Sequence, residues 1–148
     1  MAFNIIYDQP DVVGPWVCAR TGGVYCKEIS QAIGQLNSKG EIVAGVLFEG
    51  FNGATVKGHI AIEPGYSFSR TFLWAIGDYA FRQIKVRKVI GLVNSTNTKA
   101  IELDKKLGYV EEGRIKGGTV DGDLLILTLT AENYRYIGLT QDDIIKRL

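Results

Sequence analysis

The sequence predicts an α/β protein with a mixed central sheet flanked by helices, and three observations predict it. Strand-like and helix-like runs alternate along the chain, the pattern of packed sheet and helix layers. Two strand-like runs meet at Asn52–Gly53, a pair that tolerates the positive φ of a tight hairpin turn. A helical run then separates that hairpin from an apolar strand, Arg87 to Val93, so the hairpin's second strand and this one should be parallel neighbours.

The elements follow in order. Phe3 to Tyr7 is a short apolar run and reads as a first strand. Asp11 to Arg20 carries Val12, Val13, Trp16 and Ala19 at helical spacing. Asp11 can cap this helix, or the helix begins at Pro15, the fifth position of the run. Glu28 to Leu36 fits a short helix or the start of a strand. Glu41 to Phe51 and Ala54 to Glu63 are the two arms of the hairpin, and Pro64–Gly65 stops the second. Ser69 reads as an N-cap for an amphipathic helix of about four turns, with Phe72, Leu73, Ile76, Tyr79, Ala80 and Ile84 on one face. Arg87 to Val93 is nearly continuous in apolar residues, which predicts a strand covered on both faces. Thr98 to Leu107 is helical, and Gly108 fits the residue just past its end. Tyr109 to Lys116 and Asp123 to Thr130 read as two strands around a Gly117–Gly122 turn, with short helices over Ala131 to Ile137 and Gln141 to Leu148.

At 148 residues the chain reads as one domain, residues 1–148, with a core supported by its 46% hydrophobic content. Seventeen basic and sixteen acidic residues give a net charge of +1, so overall charge points to neither nucleic acid nor membrane as a partner. Lys85, Arg87 and Lys88 read as a solvated corner. Cys18 and Cys26 have neither metal-ligand nor redox spacing; with no signal peptide apparent, free thiols in the cytoplasm are the expectation. No metal site is expected. No run of about 18 apolar residues marks a membrane span.

The segment from Val89 to Gly113 places a buried strand, an asparagine-rich turn, a glycine-closed helix and another strand in succession. Within it Asn97, Ala100, Leu103, Leu107–Gly108–Tyr109 and Glu112–Gly113 form a pattern that resembles the C-terminal half of GNAT N-acetyltransferases. Capping and packing also account for the Leu107–Gly108–Tyr109 part without any ligand. Arg114 and Asp121–Gly122–Asp123 resemble the ribosomal-protein and N-terminal acetyltransferase branch. Asp11, Gly14, Trp16–Val17 and Arg20 to Gly23 resemble compact viral (phage) members.

The resemblance covers nearly the whole chain and implies a GNAT-like, acyl-CoA N-acyltransferase fold. It implies direct attack of a primary amine on acetyl-CoA, the cosubstrate, in a ternary complex. The acceptor would be a protein N-terminus, a lysine or a small amine, and a homodimer is one assembly it allows. Asn97 would contact the pantetheine arm, or only cap its helix, and Asn94 is a second candidate. Backbone of Ile60, Ala61 and Ile62 would pair with the pantetheine amides. Ser67, Phe68, Ser69, Arg70 and Thr71 occupy the place of the phosphate-binding loop, although the family's glycine pair is absent. His59, Glu63 and Glu49 are the candidate bases, His59 because imidazole titrates near neutrality. The position of the family's proton-donating tyrosine is held by Asp104, which, read as exposed, would be ionised and unable to donate. That absence and the altered loop leave an alternative: a binding or structural module that keeps the fold without the chemistry.

Overall fold

A computed structural model describes residues 4–138. Phe3 and the helix expected over Gln141 to Leu148 lie outside the described residues. The chain runs β1 (Ile5–Ile6), α1 (Pro10–Thr21), β2 (Gln31–Leu36), β3 (Ile42–Glu49), β4 (Thr55–Ile62), α2 (Arg70–Gly77), β5 (Lys88–Asn94), α3 (Thr98–Leu107), β6 (Val110–Ile115) and β7 (Leu124–Leu129). The described strands form one sheet in the order β1-β2-β3-β4-β5-β7-β6, with β4 and β5 parallel and all other pairs antiparallel.

The local signals act as chemistry dictates. Asn52 Oδ1 accepts from the backbone N–H groups of Ala54 and Thr55, and Gly53 takes φ +93, so the hairpin turns where those two residues stand. Ser69 Oγ accepts from Phe72 N at 3.0 Å and starts α2. α1 departs from both readings of its start. It opens at Pro10, runs through Pro15, and leaves Asp11 free to accept the Tyr25 hydroxyl instead of capping. Glu28 to Leu36 resolves into a turn, where Ser30 N donates to Cys26 O, and then β2.

Two expected helices change form. The run from Ser69 to Ile84 is α-helical only to Gly77; Asp78–Ile84 is a π-helical segment that ends at Lys85 in a left-handed conformation. At the junction the buried Tyr134 donates its hydroxyl hydrogen to Leu73 O, and its ring lies against Gly77. Ala131 to Ile137, expected to be helical, forms turns, and these carry Tyr134 into the core.

Pleat alternation divides the packing. Val56, Ile60 and Ile62 of β4 face α2, the π-helical segment and Leu107 of α3. Ala61 faces α1, whose Val13 and Val17 pack with Ala32 and Leu47. The α1 side of β5, β7 and β6 has no helix over it among the described residues. Leu92, Val110 and Ile115 are therefore exposed there, and β5 is buried on one face rather than two.

Candidate active site

β4 and β5 pair only from Thr55–Lys57 against Lys88–Ile90. Beyond that point β4 stays with β3 as far as Ile62, and β5 stays with β7 as far as Asn94. The facing edges of 58–62 and 91–94 have no ladder partner, and unpaired backbone groups at such an edge seek hydrogen bonds from a ligand or from water. A cleft of about 340 Å³ opens in this fork and crosses the sheet. Missing side chains help to keep it open. A Cβ on Gly58 would stand 2.8 Å from Val89 Cγ1, and one on Gly91 would stand 3.4 Å from Asp104 Oδ2. A larger open hollow of about 550 Å³, lined in part by Phe48, Phe51 and Ile84, lies at the paired end of β4 and lacks those open edges.

On the α1 side the cleft is lined by Arg20, Thr21, His59 and Leu92. His59 Nε2 lies 3.0 Å from Glu49 Oε1. Glu49 also accepts from Val24 N at 3.2 Å and pairs with Lys57 at 3.5 Å. Burial alone would raise the Glu49 carboxyl, but the His59 hydrogen bond and charge, the Val24 N–H and Lys57 outweigh it and hold the group below the usual range. With the Glu49 carboxylate accepting from His59 Nε2–H, Nδ1 is the ring nitrogen outside that pair. Gly23 lies against this ring; a Cβ there would approach it to 3.0 Å. Glu63 stands apart from the cleft lining and accepts from Arg20 Nε at 2.5 Å, while the Arg20 guanidinium lies 3.8 Å over the Trp16 ring. The Cys18 thiol is pushed up by burial and then by the Glu49 charge, the reverse of what an activated nucleophile needs.

On the helix side the lining is Ile60, Gly91, Val93, Asn97, Ala100, Asp104 and Tyr109. Asp104 is not the exposed, ionised carboxylate that the sequence predicts. The residue is only 7% exposed, and burial pushes its carboxyl up to about 7. Its side chain has no hydrogen-bond partner among the described residues, so its oxygens are left to the cleft. The sequence held a signal for this. Ala100, Asp104 and Leu107 stand four and three residues apart, so the aspartate falls on the apolar stripe of α3. Tyr109 shares the pocket, and its phenol is raised by burial and then by the Asp104 charge. Asn97 is the N-cap of α3, its Oδ1 accepting from Ala100 N at 3.2 Å, so its amide N–H groups remain for the cleft. Asn94 is already engaged. It donates to Asp121 at 2.6 Å and accepts from Thr96 N and Thr96 Oγ1.

The loop carrying Ser67, Phe68, Ser69, Arg70 and Thr71 does not line the cleft, nor do Ala61 and Ile62. It is held by a residue that sequence reasoning passed over. The buried Gln35 of β2 donates from Nε2 to Ser67 O and accepts at Oε1 from Ser69 N, both at 3.0 Å. Its place two residues after Ile33, on the same face of β2, was the available clue. Gln35→Ala leaves that carbonyl and N–H without these partners, and about 1–3 kcal/mol of local stability should be lost. Faster amide hydrogen exchange at Ser69 is the check.

Among the described residues, a mixed sheet of seven strands, forked between parallel β4 and β5 and flanked by helices, is a GNAT-like fold. The likeness to solved structures is as follows. The chain matches a chimera of the Vibrio cholerae spermidine N-acetyltransferase SpeG and hSSAT (K23-Y30) with a TM-score of 0.71, at 15% identity over 93% of this chain and 100% of that one. It matches a second such chimera (K23-Q34) with a TM-score of 0.64, at 20% identity over 76% and 72%. The F149A mutant of the Vibrio cholerae SpeG gives a TM-score of 0.64, at 21% identity over 76% and 70%. At these identities the likeness is one of fold. No protein-family model and no curated protein matches the chain.

These matches overturn the expected branch. They are spermidine N-acetyltransferases, neither ribosomal-protein nor N-terminal acetyltransferases, and none is viral. The residues behind that expectation do structural work. Arg114 pairs with Asp123 at 3.2 Å and with Glu111 at 3.4 Å, Asp123 accepts from Gly117 N, and Asp123 N donates to Ser95 Oγ. Together they staple the β6–β7 hairpin to the end of β5, a role any acceptor would allow. Among the described residues no three His, Cys, Asp or Glu side chains gather as a metal set, and no helix is long and apolar enough to cross a membrane.

Proposed function

We propose that the protein transfers an acetyl group from acetyl-CoA to a primary amine by direct attack within a ternary complex. The observation that carries this reading is the fork between β4 and β5, with an unpaired backbone edge and titratable groups on both sides of one cleft. Acetyl-CoA, when bound, supplies the activated acyl group as a thioester. The residues present fit it. The unpaired edge of β4 at Ile60 to Ile62 would offer backbone groups to the pantetheine amides, with Ile60 the one that lines the cleft, and the Asn97 amide would donate to the same arm. Ser67 to Thr71, at the N-terminus of α2, meet the phosphates with the partial positive charge of the helix end, roughly half an electron, and the Arg70 guanidinium. Asn94 shapes the turn that presents Asn97.

On the α1 side the acceptor amine enters beside His59. The His59–Glu49 pair takes its proton, the imidazole as base and the carboxylate stabilising the imidazolium. Glu63, paired with Arg20, sets the charge at the mouth. The acceptor is a protein N-terminus, a lysine or a small amine. Spermidine, named by the structural matches, is the first to test.

Calorimetry with acetyl-CoA should show micromolar binding, and thiol release should follow addition of spermidine or of a peptide with a free N-terminus. His59→Gln should lower turnover by roughly 10²-fold or more with acetyl-CoA affinity unchanged. Absence of binding overturns the reading. Binding with no thiol release across an amine panel leaves a binding module.

A further inference from the structure

We infer that Asp104 is the acid of this cleft, the group that gives its proton to the departing sulfur; the inference rests on the acetyl-transfer reading. Four observations support it. The carboxyl is buried yet lines the cleft, on the helix side of the fork. It has no hydrogen-bond partner among the described residues, so no competing bond holds its proton. Gly91 of β5 leaves room beside it: the Cβ that Gly91 lacks would stand 3.4 Å from Oδ2. It faces the helix side while the His59–Glu49 pair lies on the α1 side, so proton donor and proton acceptor are separated by the sheet itself. Amine attack and thiol departure use two separate groups, one to take the proton from nitrogen and one to give a proton to sulfur, and the cleft holds one on each side.

The step balances without any further reactant. The amine nitrogen bonds to the thioester carbonyl carbon, and its surplus proton passes to the His59 side. The carbon–sulfur bond breaks, sulfur takes the electron pair, and the Asp104 proton converts the thiolate to a thiol. Asp104 is left as a carboxylate and is reprotonated from water through the open cleft. Burial that holds the carboxyl near 7 keeps a large share of it protonated at neutral pH, close to the best value for an acid working there. The titratable and charged groups facing it are Tyr109 from the start of β6 and, across the cleft, His59 of β4 and Arg20 of α1; Lys105 and Lys106 on its own helix are exposed. Tyr109 itself is a poor donor, its phenol being raised far above its ordinary value.

Asp104→Asn keeps the shape and removes the proton. With acetyl-CoA and spermidine, or the free-N-terminus peptide, kcat should fall roughly 10²-fold or more while acetyl-CoA affinity by calorimetry holds. The wild-type decline of kcat above about pH 7 should vanish in the variant. An aryl thioester, whose thiolate departs without a proton, should be turned over equally by both proteins. A variant that keeps the wild-type rate and pH limb overturns the inference. So does one whose rate loss tracks a loss of acetyl-CoA binding or extends to the aryl thioester, since either would make Asp104 a structural residue. Failure of the wild type to bind acetyl-CoA overturns the acetyl-transfer reading itself, a result distinct from both.

Discussion

Asp104→Asn should make the protein markedly more stable above neutral pH. In the unfolded chain the Asp104 carboxyl has its ordinary value of 3.8, and in the fold it is held up to about 7. Between these values the unfolded chain gives up the proton and the folded one keeps it. The burial of Asp104 therefore costs little below pH 3.8, costs more as pH rises, and reaches its full cost above about 7. Each pKa unit corresponds to about 1.4 kcal/mol, so the full difference is about 4 kcal/mol, and about 3 kcal/mol of it develops between pH 5 and pH 8. Asparagine at the same place carries no charge to desolvate. Urea denaturation at the two pH values should show the wild type losing that stability and the variant losing much less. Equal losses in both would mean that the carboxyl ionises freely in the fold, and the acid role would lose its physical basis.

Such a cost is large against the few kcal/mol by which a domain of this size is stable. A buried acid without a partner is tolerated where function uses it. Thr128 and Ser30, other buried polar residues, have partners for their hydroxyls: Ser30 Oγ accepts from Cys26 N, and the Thr128 hydroxyl bonds to the Glu112 carboxylate. Asp104 stands apart from them in having only the cleft to face.

The elements that sequence patterns foretold are those whose causes are local. Ser69, Asn52–Gly53 and Gly108 each act through their own few neighbours, and α3 begins and ends where its cap and its glycine put it. The π-helical segment after Gly77 was not legible, because the Tyr134 that packs against it comes from more than fifty residues further along the chain. The same holds at the site. His59, Ile60, Asn94 and Asn97 gather in the cleft by strand and helix position alone, whereas the pairing of His59 with Glu49 depends on the β3–β4 register, which sets Leu47 opposite His59 and Glu49 opposite Lys57. Asp104 is a related case: its charge alone predicts exposure, but its spacing from Ala100 and Leu107 puts it on the buried stripe of α3.

Gly108→Ala should be among the most damaging single substitutions in the chain. A glycine that ends a helix in the left-handed region ordinarily costs about 1 kcal/mol to replace with alanine. Gly108 has that conformation, φ +117, and accepts nothing larger than hydrogen for a second reason. A Cβ would fall 2.0 Å from the backbone oxygen of Asn133, in the turn that seats Tyr134. Backbone cannot swing aside as a side-chain tip can, and Arg135 N is already donating to Leu107 O next door. The α3 terminus or the Tyr134 turn must shift, with an expected loss of more than about 3 kcal/mol. Gly65→Ala is the control. Its φ of +87 is equally left-handed, but the new methyl meets nothing within 4 Å, so only the cost of about 1 kcal/mol should appear. Thermal or urea denaturation of the two variants separates the contributions: equal losses would show that the Asn133 contact relaxes freely. Since Gly108 N and Tyr109 N both donate to Asp104 O, any displacement of the helix end also moves the cleft's buried acid. The glycine that closes α3 thus belongs to the site as well as to the fold.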